Sequence, residues 1–93
     1  MTIGVLQLEI SVGDAMSLKD KRRVVKSLKD RIARGHNVSI AEVGALDEHR
    51  RAILALAMVS NDPRYVESAL SKLVDFVRSV RQVDLIDYQI ELL

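Results

Sequence analysis

Lysine and arginine can neutralise phosphate, and eight of this chain's fourteen such residues fall in one stretch, Ser17–Arg34 (SLKDKRRVVKSLKDRIAR). Only Asp20 and Asp30 oppose them there, so the stretch carries +6. The other six basic and eleven acidic residues leave the rest of the chain at −5, a separation that the overall +1 conceals. A concentrated positive field on an acidic body points to an anionic partner, with nucleic acid foremost. On a helical wheel with Val25 at zero, Lys29, Arg22, Lys26, Lys19 and Arg23 stand at about 40°, 60°, 100°, 120° and 160°. These cations form one flank with only Asp30 among them. Such a ridge can track phosphates, each neutralised phosphate releasing counterions. Arg34 and the pair Arg50–Arg51 are expected to add secondary contacts. The plainer alternative is a solvated helix face in which Lys and Arg serve helix propensity and solubility.

Lys21 breaks the pattern. It falls at about 320° on the same wheel, among the apolar positions. The expectation is that its stem snorkels past the sheet edge to water. The alternative is a lysine held at the sheet end to meet a ligand or an acid such as Asp14 or Asp62. The other charged cluster, Asp47-Glu48-His49-Arg50-Arg51, reads as a solvated turn. A metal site would need converging ligands, and the second histidine, His36, is far away in sequence. Ser60-Asn61-Asp62-Pro63 is explained by helix capping. There is no Gly-rich phosphate loop, nucleophile elbow or zinc spacing, so neither an enzyme, a cofactor nor a metal is expected.

The elements that must position the ridge follow from periodicity. Residues 2–12 alternate, with Gly4, Leu6, Leu8, Ile10 and Val12 on one face and Ile3, Val5, Gln7, Glu9 and Ser11 on the other, which predicts a strand. Ser17, with Asp20 three residues on, suits a helix start. Leu18, Val25, Leu28 and Ile32 give that helix its apolar stripe, and Gly35 is placed to end it in a left-handed conformation. Asn37–Ala45 and Ala52–Val59 predict a hairpin, and the second of these is apolar on both faces, as a central strand would be. Asp62 and Pro63 start a second helix with the stripe Val66, Leu70, Leu73 and Val77. Residues 83–92 complete the set as a strand expected to turn Ile86, Tyr88, Ile90 and Leu92 inward.

The order is βαββαβ. Right-handed crossovers then give an α+β, ferredoxin-like split βαβ fold: a four-stranded antiparallel sheet, order 4-1-3-2, with both helices on one face. Ninety-three residues make one domain, 1–93. With no cysteine, no signal-peptide pattern and no apolar run near the roughly 18 residues of a membrane span, a soluble cytoplasmic protein is expected. RNA-recognition motifs share this topology but stack bases on sheet aromatics. The aromatics here are Tyr65, Phe76 and Tyr88, so base stacking on the open face is not expected. That face, with Ile3, Val5, Gln7, Glu9, Ile53, Ala55, Ala57 and Val59, is apolar enough to pair with a second copy, the alternative being an exposed Ala/Val sheet in a monomer.

The chain resembles, over its whole length, the YlxP-like family, a bacterial group whose domain has no assigned function. Ser17–Arg31 (SLKDKRRVVKSLKDR), Asn37–Val43 (NVSIAEV) and Val59–Asp62 (VSND) carry the resemblance. Similar proteins often have an aromatic near the hairpin tip, where this chain has Glu48-His49. The resemblance implies the ferredoxin-like fold and a setting near translation and ribosome-assembly genes, and no established activity. The first expectation is therefore a non-enzymatic RNA-binding or ribosome-associated accessory factor, gripping RNA or a ribosomal subunit through Lys19, Arg22, Arg23, Lys26 and Lys29. The second is a homo-oligomeric interaction module using the open sheet face. A regulatory small-molecule domain ranks third.

Overall fold

The computed structural model describes residues 1–93 and contains six elements: β1 (Thr2–Ser11), α1 (Leu18–Gly35), β2 (Ser39–Gly44), β3 (Arg51–Ser60), α2 (Pro63–Ser79) and β4 (Asp84–Leu92). The sheet is antiparallel throughout, and its order β2-β3-β1-β4 is the expected order read from the other edge. The ferredoxin-like α+β architecture is thus the one that the alternation of periods implied.

Burial follows the pleat. Gly4, Leu6, Leu8 and Ile10 of β1 stand beside Met58, Leu56, Leu54 and Ala52 of β3, and all eight are buried. Val25, Leu28 and Ile32 of α1 and Val66, Leu70, Leu73, Val74 and Val77 of α2 close over them. Each buried Leu or Val contributes about 1.5–3 kcal/mol by leaving water. Gly4 lets α2 come down on β1, because a Cβ there would collide with Val66 Cγ1 and lie 2.9 Å from Leu70 Cδ1.

The helix starts are side-chain capped. Ser17 Oγ accepts from the Asp20 N–H at 3.1 Å, and Asp20 Oδ2 accepts in turn from the Met16 N–H at 3.0 Å, one residue before the cap itself. Asp62 Oδ1 accepts from the Arg64 N–H (2.9 Å) and the Tyr65 N–H (3.4 Å), with Pro63 in the first helical position. These bonds use amide hydrogens that the helix cannot satisfy internally.

Three expectations need correction. Gly35 is not left-handed. The helix runs through it to an extended His36 cap, whose Nδ1 lies 3.2 Å from the Ile32 carbonyl oxygen. The one residue with positive φ is Ala45 (57°), just after a bulge that shifts the β2–β3 register between Glu42 and Gly44. In β4, a second register shift opposite Glu9/Ile10 puts Leu85, not Ile86, on the core face, and Ile86 is exposed. Beyond that bulge Tyr88, Ile90 and Leu92 do stand opposite Leu8, Leu6 and Gly4 on the helix side. Being on an edge strand, Tyr88 and Leu92 remain partly exposed, at 43% and 39%.

Candidate nucleic-acid interface

α1 is held by one buried stripe, Lys21, Val25, Leu28 and Ile32, and this fixes which flank faces solvent. Lys19, Arg22, Arg23 and Lys26 are exposed, Lys29 is half-buried, and Arg34 is exposed in the last turn. The helix rotation that the apolar stripe imposes therefore turns the five ridge cations outward together. Lys26 Nζ lies 2.9 Å from Asp30 Oδ2, and this hydrogen bond and charge hold the Asp30 carboxyl below its usual range. Arg34 Nε donates to the Asp30 carbonyl at 3.4 Å. Lys19, Arg22, Arg23 and Lys29 have no carboxylate within 4.0 Å. Exposed pairs such as Lys26–Asp30 are worth only about 0–1 kcal/mol, so an incoming phosphate competes for Lys26 at little cost.

Arg22, Lys26 and Lys29 line one wall of an open groove that reaches Glu42 on the edge strand β2. A carboxylate at this place would repel phosphate, and Lys21 answers it. Lys21 is fully buried and does not snorkel. Its Nζ donates to Glu42 Oε2 (2.9 Å), the Ala45 carbonyl (2.9 Å) and the Arg51 carbonyl (3.2 Å). An ammonium has three N–H donors, and all three are used. Lys21 thus meets an acid, but that acid is Glu42 rather than Asp14 or Asp62. The pair neutralises the carboxylate beside the ridge and fastens α1 to both sides of the β2–β3 turn. Neither Glu42 nor its partnership was visible in the sequence, because the pairing depends on how the hairpin is placed under the helix.

The structure separates the remaining predicted contacts. Arg50 reaches back toward the start of α1, its Nε donating to the Ala15 carbonyl at 3.4 Å. Arg51 points to the opposite face of the sheet. There its Nε lies 2.6 Å from Glu9 Oε2 and its Nη1 3.0 Å from Glu48 Oε2. These bonds hold the guanidinium above its ordinary pKa. Arg51 is therefore engaged by two carboxylates and stands apart from the ridge. Its surroundings are acidic, since Asp87 and Glu91 of β4 stand opposite Glu9 and Val5 on the same face. The β4 half of the open face is thus acidic, while the concentrated positive charge lies on α1.

No aromatic ring lies on the open face. Phe76 is half-buried beneath Arg31 (5.3 Å to the ring centre), and Tyr88 lies beneath Arg78 (5.5 Å) on the helix side. No three His, Asp or Glu side chains come together as a metal-binding group.

Residues 3–90 match the family described as "Protein of unknown function (DUF503)". The chain is also 34% identical over 82 residues to "Uncharacterized protein YlxP" of Bacillus subtilis (strain 168), covering 88% of this chain and 89% of that one. The chain belongs to the YlxP-like (DUF503) family. The match spans every element of the fold, so the YlxP-like domain includes both α1 with its ridge and the hairpin that Lys21 secures. Neither family description assigns an activity, and the reading of the site rests on its own geometry.

Proposed function

We propose that this YlxP-like protein is a non-enzymatic RNA-binding factor, associated with the ribosome or its RNA, that grips phosphates through α1. The observation that carries this reading is the ridge: four exposed cations and half-buried Lys29 on one flank, four of the five without any carboxylate partner, beside a Glu42 already neutralised by Lys21. Solubility alone would not require placing eight of the fourteen basic residues in the single stretch Ser17–Arg34. Contacts of this kind recognise shape and charge with little base readout. The setting among translation genes that the family resemblance implies agrees with ribosomal RNA as the target.

Titrating 16S ribosomal RNA and 30S subunits across a salt series tests the proposal. Five phosphate contacts give a log–log slope of about −4, so affinity should fall about 100-fold or more between roughly 50 and 200 mM salt. Absence of binding at the lowest salt would make the ridge a solubility or protein-docking feature.

The uncovered sheet face favours a second reading. Ile3, Val5, Ile53, Ala55 and Ala57 are half-buried there with no element over them, and Val59 is exposed. If this face joins two copies, the wild type sediments as a dimer at high concentration and Ala55→Glu as a monomer. A wild-type monomer under those conditions removes this reading.

A further inference from the structure

The next flank of α1 carries a second feature, which shares only Arg23 with the ridge. Arg23, Ser27 and Arg31 follow one another at i, i+4 and i+8, along one side of a groove of about 200 Å³. The opposite side is the α2–β4 turn, with Val80 and Gln82, and the floor is apolar: Val24, Leu28 and Val80. Leu28 and Val80 are buried, so the floor is continuous with the core. Neither Arg23 nor Arg31 has a carboxylate within 4.0 Å. Arg31 is steadied over the Phe76 ring. Two helical turns separate the two arginines, about 12 Å along the axis, so they stand toward opposite ends of the groove.

We infer that this groove takes one unstacked base of single-stranded RNA, with its flanking phosphates on Arg23 and Arg31. The inference rests on the proposed RNA binding and adds to it a preference for an unpaired nucleotide. The chemistry is complementary part by part. A base presents a flat apolar surface to half-buried Val24, behind which Leu28 and Val80 are closed off in the core. Its edge offers donors and acceptors to the Ser27 hydroxyl and the Gln82 amide, each of which can both donate and accept. The phosphates on either side lie closer together than the arginine positions, and the two long side chains reach them by leaning inward. The volume is below the roughly 300 Å³ at which pockets for drug-sized ligands begin, which suits a single ring system. Paired RNA keeps its bases stacked inside the helix and cannot fill the groove, whereas loops and ends can. Arg23 stands at the border of ridge and groove, so one strand can pass from the first to the second.

Three labelled RNAs separate this inference from the reading beneath it: a blunt hairpin, the same hairpin with four unpaired 3′ nucleotides, and the same hairpin with a four-residue abasic extension. The last two carry equal phosphate charge and differ only in bases. Fluorescence anisotropy should show the base-bearing extension bound about tenfold more tightly than the abasic one, equivalent to about 1.4 kcal/mol. Ser27→Leu, which fills the groove from an exposed position, and Gln82→Ala should each reduce that ratio toward one, with melting temperatures confirming the fold. Equal affinity for the two extensions, with the hairpin still bound, overturns the groove and leaves the ridge standing. Persistence of the ratio in Ser27→Leu also overturns it. Failure of all three RNAs to bind at low salt overturns both.

Discussion

Lys21→Met lowers stability by about 3–5 kcal/mol, the cost of removing one member of a buried charge pair. The loss is large because three acceptors depend on one ammonium. The Glu42 carboxylate, only 14% exposed, is left without its countercharge, and the Ala45 and Arg51 carbonyls lose their side-chain donor. Methionine keeps the unbranched stem, so the packing among Val25, Leu28 and Ile32 is nearly preserved and the effect reports on the polar contacts. Against a total of about 5–15 kcal/mol for an ordinary domain, the variant is close to unfolding. Pairing it with Glu42→Leu should restore much of the loss, because an apolar pair of similar volume leaves no orphan charge. Urea denaturation of the two variants measures both quantities. A cost below about 1 kcal/mol for the single variant would mean that the lysine reaches water, as the sequence alone suggested.

The second large effect is on affinity. Arg22→Glu, Arg23→Glu and Lys26→Glu together take the Ser17–Arg34 stretch from +6 to zero. On the proposed reading, three phosphate contacts are removed and three repulsive charges take their place. RNA affinity should fall more than 100-fold near 100 mM salt, and the log–log slope should flatten by about two to three units. The three side chains are exposed, so the fold survives. The carboxylates that replace Arg22 and Lys26 lie one turn apart, and the second of them faces Asp30, which costs about 0.2–0.5 kcal/mol per like-charge pair. Wild-type affinity in this triple variant would remove the ridge from the mechanism, whatever else binds.

Periodicity was enough to place the elements, because one buried face is a strong constraint. Alternation in Thr2–Ser11 and the stripes Val25–Leu28–Ile32 and Val66–Leu70–Leu73–Val77 each admit one orientation against a sheet. The ridge was legible for the same reason, since the apolar stripe fixes where the opposite flank points. What escaped depended on contacts between distant segments. The bulge in β4 that exchanges Leu85 for Ile86 is set by pairing with β1, and an unbroken alternating pattern carries no mark of it. Lys21 looked like an intruder on an apolar face because its acceptors come from positions 21, 24 and 30 residues later. Arg51 looked like a partner of Arg50, yet adjacent residues entering a strand point to opposite sides, and Arg51 joins Glu9 across the sheet. Arg31 bears no sign of its groove in the sequence, because the groove exists only where the turn at Val80–Gln82 meets α1.

The separation of charge between α1 and β4 also governs how this molecule would meet a polyanion. With a net charge of +1, the protein is scarcely attracted as a whole. It nevertheless carries a permanent electric dipole, positive at α1 and negative along β4. In the field of a phosphate backbone such a body experiences torque before it experiences appreciable pull. It rotates during diffusional approach, so collisions are biased toward those that lead with α1.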